Sequence, residues 1–271
     1  MLAKRLLVTI LLIPTGLFLI ALGGWFFGLF VALFLGVAAW EYWRLFRISG
    51  FTPSSVLVIG GVVVLALAAV ARQEFAVPSS EILLVILTLA AMAFHLVEFE
   101  RGRDRAATDF GITLGGILYL GLVGSYMIIL RNIPQGEWWI LVVLPSVWIA
   151  DSGAFLIGSH FGRHKLSPRL SPKKTWEGYF GGIVFGVLAG ALLAALWHLV
   201  SPPVTFERGA LIGLVISVFT PLGDLGESMI KRQAGVKDSS HILPGHGGVF
   251  DRIDSWLWAG VIGFIVIQFF F

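Results

Sequence analysis

Long apolar runs separated by short polar segments dominate the hydrophobic pattern of the chain. The runs are continuously apolar rather than alternating, which favours helices over strands. Several of them reach or approach the roughly 20 residues that a helix needs to cross a bilayer. Because hydrocarbon holds no water to satisfy backbone polar groups, spans must be helices or a closed barrel. The pattern predicts about nine helical spans, at residues 6–22, 25–43, 56–72, 81–99, 110–130, 138–158, 178–199, 209–230 and 254–271.

The basic residues predict the orientation of these spans. With the N-terminus in the cytoplasm, all but three of the 19 Lys and Arg residues fall on the cytoplasmic side, the exceptions being Arg72, Arg131 and Arg208. Cytoplasmic loops carry such a positive excess. The expected fold is an all-α integral membrane protein of about nine transmembrane helices, with the N-terminus cytoplasmic and the C-terminus on the outer side. The first run could instead be a signal peptide, but the second run follows it almost at once.

Two cytoplasmic connections, 159–177 and 231–253, are longer than the others. We therefore expect chemistry on phosphate or water to face the cytoplasm near these loops. The predicted organisation is an N-terminal region of membrane helices, residues 1–135 with spans one to five, and a catalytic membrane region, residues 136–271 with spans six to nine.

Composition supports this class of protein. The chain is 57% apolar and 13% charged, whereas soluble domains carry roughly 25% charged residues. The absence of Cys excludes disulfides, iron–sulfur clusters and thiol catalysis. The pI near 9.4 reflects basic residues placed between apolar runs, so it indicates topology and no nucleic-acid partner.

Acidic residues inside membrane spans are costly and usually functional. They occur here as Asp151 in span six, Asp224 with Glu227 in span eight, and Asp251 with Asp254 at the start of span nine. Residues three apart share a helix face, so each pair can act together. Pro221 and Gly223 predict a kink just before Asp224.

Plainer interpretations of these acids stay open. Asp251 and Asp254 could cap the start of a helix, and Asp151 could form a structural ion pair. Asp224 and Glu227 are harder to explain in this way, because neighbouring carboxylates repel unless a cation or proton lies between them. Oxygen ligands without Cys suit Mg²⁺ rather than zinc.

Basic side chains accompany the acids in both long loops. Lys173 and Lys174 precede span seven, and the second loop holds Lys231, Arg232, Lys237 and Arg252. Carboxylates that hold Mg²⁺ beside Lys and Arg are typical of phosphoryl and nucleotidyl transfer. His246, Gly247 and Gly248 would let the backbone approach a phosphate closely, although a lone HGG is weak support.

Residues 228–254 together, SMIKRQAGVKDSSHILPGHGGVFDRID, resemble the signature of the phosphatidate cytidylyltransferase (CDP-diacylglycerol synthase) family, without a departure. The segments ADSGAF, SPKKTWEG and PLGDLGES resemble the other blocks of that family, in the expected order. The resemblance covers about residues 146–254. The N-terminal spans match only in being hydrophobic, which leaves their role open.

The resemblance implies that CTP and phosphatidate react to give CDP-diacylglycerol and pyrophosphate. It also implies a bacterial inner-membrane or organellar-membrane homodimer that takes phosphatidate from the inner leaflet. Its polar funnel would open to the cytoplasm, and its di-metal centre would hold Mg²⁺ and a second cation, monovalent or divalent.

The resemblance assigns Asp224 and Asp251 to metal binding, with Glu227 and Asp151 as further candidate ligands. Lys231 and Arg252 join Asp224 and Asp251 as candidate catalytic residues. The candidate substrate-binding residues are Lys173, Lys174, Ser228, Arg232, Lys237, His246, Gly247 and Gly248. Asp254 is a candidate ligand, orienting residue or structural partner.

Two other functions compete with this interpretation. A cation-coupled transporter would also need intramembrane acids and broken helices, but the polar residues gather on one side and no inverted repeat is visible. A related CTP-dependent lipid kinase would share parts of the architecture, although the intact signature disfavours it.

Overall fold

Helices account for most of the computed structural model, which describes residues 13–243, 245 and 247–271. Seven helices in this described part of the chain are long and apolar enough to cross a membrane, judged by length and composition. They are Gly24–Ile48, Ser80–Glu100, Ala106–Asn132, Gly136–Phe161, Trp176–Trp197, Phe206–Gln233 and Phe250–Phe270. The chain is therefore a multi-pass helical membrane protein.

Two shorter apolar helices, Ile13–Leu22 and Ser55–Ala71, coincide with the remaining predicted spans. The first span was predicted at 6–22 and begins outside the described residues. Ser55–Ala71 has 17 residues, which is about 25 Å of helix at 1.5 Å per residue and slightly less than the roughly 30 Å hydrocarbon core. The count of nine spans and their orientation stay predictions.

The elements, numbered in chain order, begin and end close to the predicted bounds. The helices are α1 Ile13–Leu22, α2 Gly24–Ile48, α3 Ser55–Ala71, α4 Ser80–Glu100, α5 Ala106–Gly116, α6 Gly124–Asn132, α7 Gly136–Phe161, α8 Trp176–Trp197, α9 Phe206–Phe219, α10 Pro221–Gln233 and α11 Phe250–Phe270; a π-helical segment, Ile117–Val123, joins α5 to α6, and the strands are β1 Lys165–Ser167 and β2 Ser171–Thr175.

The helix ends follow from local sequence. After α2, Gly50 adopts φ 85°, and the amides of Gly50 and Phe51 donate to the carbonyls of Arg47 and Phe46. This is a Schellman motif, which glycine favours because it tolerates positive φ. Ser54 and Ser79 cap the starts of α3 and α4 through their side chains.

The chain divides into two compact units. Unit 1 comprises Met1–Ile129 and Ile230–Ile253, and unit 2 comprises Leu130–Met229 and Asp254–Phe271. The loop 231–253 therefore belongs with the N-terminal helices in unit 1. The functional division at residues 135 and 136 stays a prediction.

Polar groups connect the helices of unit 1. The Asp109 carboxylate of α5 accepts hydrogen bonds from the Thr52 amide at 2.8 Å and the Thr52 hydroxyl at 2.6 Å. The Tyr42 hydroxyl of α2 donates to the Ile112 carbonyl at 3.0 Å. These contacts fix α2 and the α2–α3 connection against α5.

Glycines bring α8 and α9 into backbone contact in unit 2. A Cβ atom on Gly190 of α8 would collide with the carbonyl oxygen of Gly209 in α9, and one on Gly213 would collide with the Gly186 carbonyl. Glycines four residues apart on each helix make the small-residue pattern that membrane helices use for close packing.

One β-hairpin departs from the all-α expectation. β1 and β2 pair antiparallel within the predicted loop 159–177, with Lys165 opposite Thr175 and Ser167 opposite Ser171. The stretch lacks the alternation of apolar and polar residues that would have predicted strands, so the sequence indicated only a loop.

We predict that Gly190→Ala destabilises the protein by about 1–3 kcal/mol, because the added methyl group overpacks the α8–α9 contact. Gly111→Ala in α5 is the matched control, since a Cβ there meets nothing within 4 Å and Ala is the better helix former. Thermal unfolding in detergent measures both. A Gly190→Ala protein as stable as the control would contradict the described packing.

Candidate active site

The break between α9 and α10 creates the first part of the site. α9 ends at Phe219 and α10 begins at Pro221, which agrees with the kink predicted just before Asp224. Asp224 lies in the first turn of α10, where the positive end of the helix dipole favours a carboxylate. Gly223 allows α11 to approach, because a Cβ there would lie 2.5 Å from the Asp254 carbonyl oxygen.

Three carboxylates meet beside this break in unit 2. One oxygen from each of Asp224, Glu227 and Asp254 lies within 4.8 Å of the others. Glu227 is 1% exposed and Asp254 is 9% exposed. The group can hold a hard cation, because clustered carboxylates attract one and oxygen is the ligand that such ions prefer.

A lysine and a serine contact the same cluster. Lys174 Nζ lies 2.5 Å from Asp224 Oδ2, and the Ser228 hydroxyl donates to Asp224 Oδ1 at 3.3 Å. Asp151 on α7 interacts electrostatically with both Lys174 and Asp224. The structure thus brings together five predicted site residues, Asp151, Lys174, Asp224, Glu227 and Ser228, and adds Asp254 as a cluster member.

The β-hairpin places Lys174, and the start of α8 holds the hairpin. The Thr175 side chain caps α8 by accepting a hydrogen bond from the Gly178 amide. Glu177 accepts from the amides of Arg163 and His164, and it contacts His164 Nδ1 at 2.6 Å. The neighbouring Lys173 is exposed.

Asp251 belongs to unit 1, where its carboxylate has its own set of donors. Oδ1 accepts from Lys231 Nζ at 2.5 Å. Oδ2 lies 2.9 Å from both the amide and the hydroxyl of Ser239, and 2.8 Å from the Gly248 amide. The predicted catalytic residues Asp251 and Lys231 therefore form a buried, hydrogen-bonded ion pair.

Glu41 of α2 is a buried carboxylate that sequence reasoning missed. It is 0% exposed and accepts hydrogen bonds from Ser239, Ser240, Val249 and Phe250 in the second long loop and the start of α11. Because Glu41 lies inside the predicted span 25–43, the rule that intramembrane acids are functional could have found it.

The other predicted residues lie around the second loop. Arg232 Nη1 donates to the Val236 carbonyl at 3.2 Å, and Arg252 is exposed. Lys237 lines a cavity of about 330 Å³ with Arg44 and His241. Gly247 adopts φ 87°, which glycine tolerates best. His246 lies outside the described residues.

Fold and site define a class of protein. This is a multi-pass helical membrane protein. It carries a carboxylate cluster, two lysine–carboxylate pairs and further cationic side chains on its helices and on the polar segments between them. Such a combination suits reactions of phosphate groups, where cations take up the negative charge of the substrate.

The chain belongs to the cytidylyltransferase family, whose sequence model matches residues 3–270. Phosphatidate cytidylyltransferase of Pseudomonas aeruginosa is 38% identical over 269 residues, which cover 94% of this chain and 93% of the relative. The Synechocystis protein of the same name is 32% identical, with 97% and 96% covered. That of Bacillus subtilis is 42% identical over 149 residues, about half of each chain.

We predict that Lys231→Met destabilises the protein by about 3 kcal/mol, because it leaves a buried Asp251 carboxylate without its cation. Lys231→Met combined with Asp251→Asn should recover part of this loss, since no unpaired charge then remains. Thermal unfolding of the single and double variants gives the order. If the double variant is less stable than Lys231→Met alone, Lys231 does not stabilise the protein through its ion pair with Asp251.

Proposed function

We propose that the chain transfers the cytidylyl group of CTP to phosphatidate, giving CDP-diacylglycerol and pyrophosphate for phospholipid synthesis. The observation that carries this proposal is the near full-length match to relatives named phosphatidate cytidylyltransferase. The geometry supports it, because the carboxylate cluster belongs to helices long enough to span a membrane, and Lys174 of the β-hairpin pairs with Asp224 of that cluster. A membrane enzyme can hold its reactive groups at the depth of the lipid head group.

The reaction exchanges one phosphorus–oxygen bond for another. An oxygen of the phosphatidate phosphate forms a bond to the α-phosphorus of CTP. The bond from that phosphorus to the oxygen bridging to the β-phosphate breaks, and pyrophosphate leaves with this oxygen. A strong general base is unnecessary, because the second pKa of such phosphate esters is about 6.

Asp224, Glu227 and Asp254 would hold a divalent cation, for which we propose Mg²⁺. The donor set fits, because it consists of carboxylate oxygens from two helices, α10 and α11. When bound, the ion neutralises negative charge on phosphate oxygens. Asp151 and Asp251 as further ligands, and a second cation, remain predictions from the family resemblance.

The cationic residues would bind the phosphate groups of the two substrates. Lys174 is already fixed beside the cluster by its ion pair with Asp224, so its ammonium is positioned without substrate. The basic residues Lys173, Lys231, Arg232, Lys237 and Arg252 are proposed for phosphate binding because they accompany the acids in the two long loops. Ser228, His246, Gly247 and Gly248 stay candidate substrate-binding residues.

We further propose nine spans, with the N-terminus and the two long loops in the cytoplasm. The excess of Lys and Arg on that side supports this orientation. Phosphatidate would enter from the inner leaflet of a bacterial inner membrane, with its acyl chains remaining in lipid, and CTP would enter from the cytoplasm. A homodimer is proposed from the family resemblance.

Labelled nucleotide distinguishes this function from its rivals. Protein reconstituted with phosphatidate vesicles and Mg²⁺ should move label from [α-³²P]CTP into lipid and release pyrophosphate, while [γ-³²P]CTP should leave the lipid unlabelled. Label in lipid from the γ-phosphate would identify a CTP-dependent kinase instead. If neither label enters lipid under varied lipid and metal conditions, the proposed reaction is wrong, and ion-coupled uptake becomes the next assay.

We predict that Asp224→Asn lowers kcat by roughly 100-fold or more, because the lost metal ligand costs several kcal/mol of charge stabilisation. Asp104→Asn, at an exposed position between α4 and α5, is the matched control and should leave turnover unchanged. The assay is the same lipid labelling, corrected for folded protein. Normal turnover of a folded Asp224→Asn variant would remove Asp224 from the site.

A further inference from the structure

Glu41 makes contacts that its position in the chain does not explain. It lies in α2, in the N-terminal part whose role the sequence left open, and its side chain is fully buried. Its partners lie about two hundred residues later, in the loop before α11 and at the start of that helix. A buried carboxylate is costly unless its oxygens are hydrogen-bonded.

Each oxygen of Glu41 lies within hydrogen-bond distance of one hydroxyl and one backbone amide, and the single hydroxyl hydrogen of Ser239 is shared with Asp251. Oε1 accepts from the Ser240 hydroxyl and from the Val249 amide at 3.0 Å. Oε2 accepts from the Ser239 hydroxyl at 3.0 Å and from the Phe250 amide at 2.6 Å. Both ends of the segment 239–250 are therefore held by a single side chain, through charge-assisted hydrogen bonds.

The same segment holds Asp251. Ser239 faces both carboxylates, because its hydroxyl lies 3.0 Å from Glu41 Oε2 and 2.9 Å from Asp251 Oδ2. The amides of Ser239 and Gly248 donate to Asp251 Oδ2. Asp251 in turn contacts Lys231 through its other oxygen. Glu41 is thus connected through Ser239 to Asp251, and through Asp251 to Lys231.

Two residues of the segment, Gly248 and Phe250, pack closely against α2. A Cβ atom on Gly248 would collide with the Ser239 hydroxyl and the Glu41 carboxylate. Phe250 is fully buried, with its ring 6.5 Å from that of Tyr42, the neighbour of Glu41 in α2. Gly248 and Phe250 therefore fit closely beside Glu41 and its neighbour Tyr42.

We propose that Glu41 is a positioning residue for the reaction: it fixes the segment 239–250 and thereby the orientation of Asp251 and Lys231. This inference rests on the proposed function, and it gives α2 a part in the site. Glu41 acts through the segment, which also holds the candidate substrate-binding residues Gly247 and Gly248, so we expect turnover to fall more than substrate binding weakens.

Glu41→Gln is the sharpest variant, because it keeps the shape of the side chain. Either orientation of the amide points its NH₂ group at a backbone N–H, of Val249 or of Phe250. We expect kcat to fall by about 10–100-fold, the usual effect of removing a group that orients site residues. The fall in kcat should exceed any rise in the KM values for CTP and phosphatidate, because Asp251 and Lys231 are assigned to the reaction itself.

Three further variants separate positioning from folding. Glu100→Gln, exposed at the end of α4, is the control for the same substitution and should behave as wild type. Glu41→Asp keeps both oxygens and should retain more activity than Glu41→Gln. Ser240→Ala removes one donor only, so it should lower kcat by about 2- to 10-fold, and it tests the inference even if Glu41→Gln does not fold.

Hydrogen exchange gives a readout that does not depend on activity. Exchange at the amides of Val249 and Phe250 should quicken in Glu41→Gln and stay unchanged in Glu100→Gln. Wild-type kcat and exchange in both Glu41→Gln and Ser240→Ala would overturn the inference and leave the proposed function intact. A wild-type protein that makes no CDP-diacylglycerol would overturn the proposed function, and with it the role of Glu41 in that reaction.

Discussion

Carboxylates that lie among apolar helices need donors or cations beside them, and this requirement ties the polar segments of the chain to its helices. In unit 1, the buried Glu41 of α2 holds the segment 239–250 by hydrogen bonds to both its ends. In unit 2, Asp224 of α10 holds the β-hairpin through Lys174. The loops that carry the polar chemistry are thereby fixed by acids on the helices.

The carboxylate cluster and the Asp251–Lys231 ion pair take residues from the same two helices but have different partners. α10 carries Asp224 and Lys231, and α11 carries Asp251 and Asp254. Asp254 joins the carboxylate cluster, whereas Asp251 binds Lys231, Ser239 and Gly248. The spacing of Asp251 and Asp254 predicted that the two act together, and the structure gives each a different environment. Asp254 therefore belongs to the metal site that we propose, and Asp251 as a metal ligand stays a prediction.

Local features were predictable from the sequence, and long-range partners were not. Continuous apolar runs are local, so the helices begin and end near their predicted bounds, and Pro221 predicted the break before Asp224. The partners of Glu41 lie in a distant part of the chain, and no local pattern indicates them. Spacing also left open whether Asp251 or Asp254 of the signature lies beside Asp224, because that depends on how α11 packs against α10 at Gly223.

The central claim is that Asp224, Glu227 and Asp254 together form the metal site. Electron paramagnetic resonance of Mn²⁺, a substitute for Mg²⁺ at oxygen ligands, tests it on purified protein without substrate. We predict a tight Mn²⁺ site in the wild type and in Asp104→Asn, and its loss or strong weakening in Asp254→Asn. Mn²⁺ binding that is unchanged in a folded Asp254→Asn variant would contradict this account.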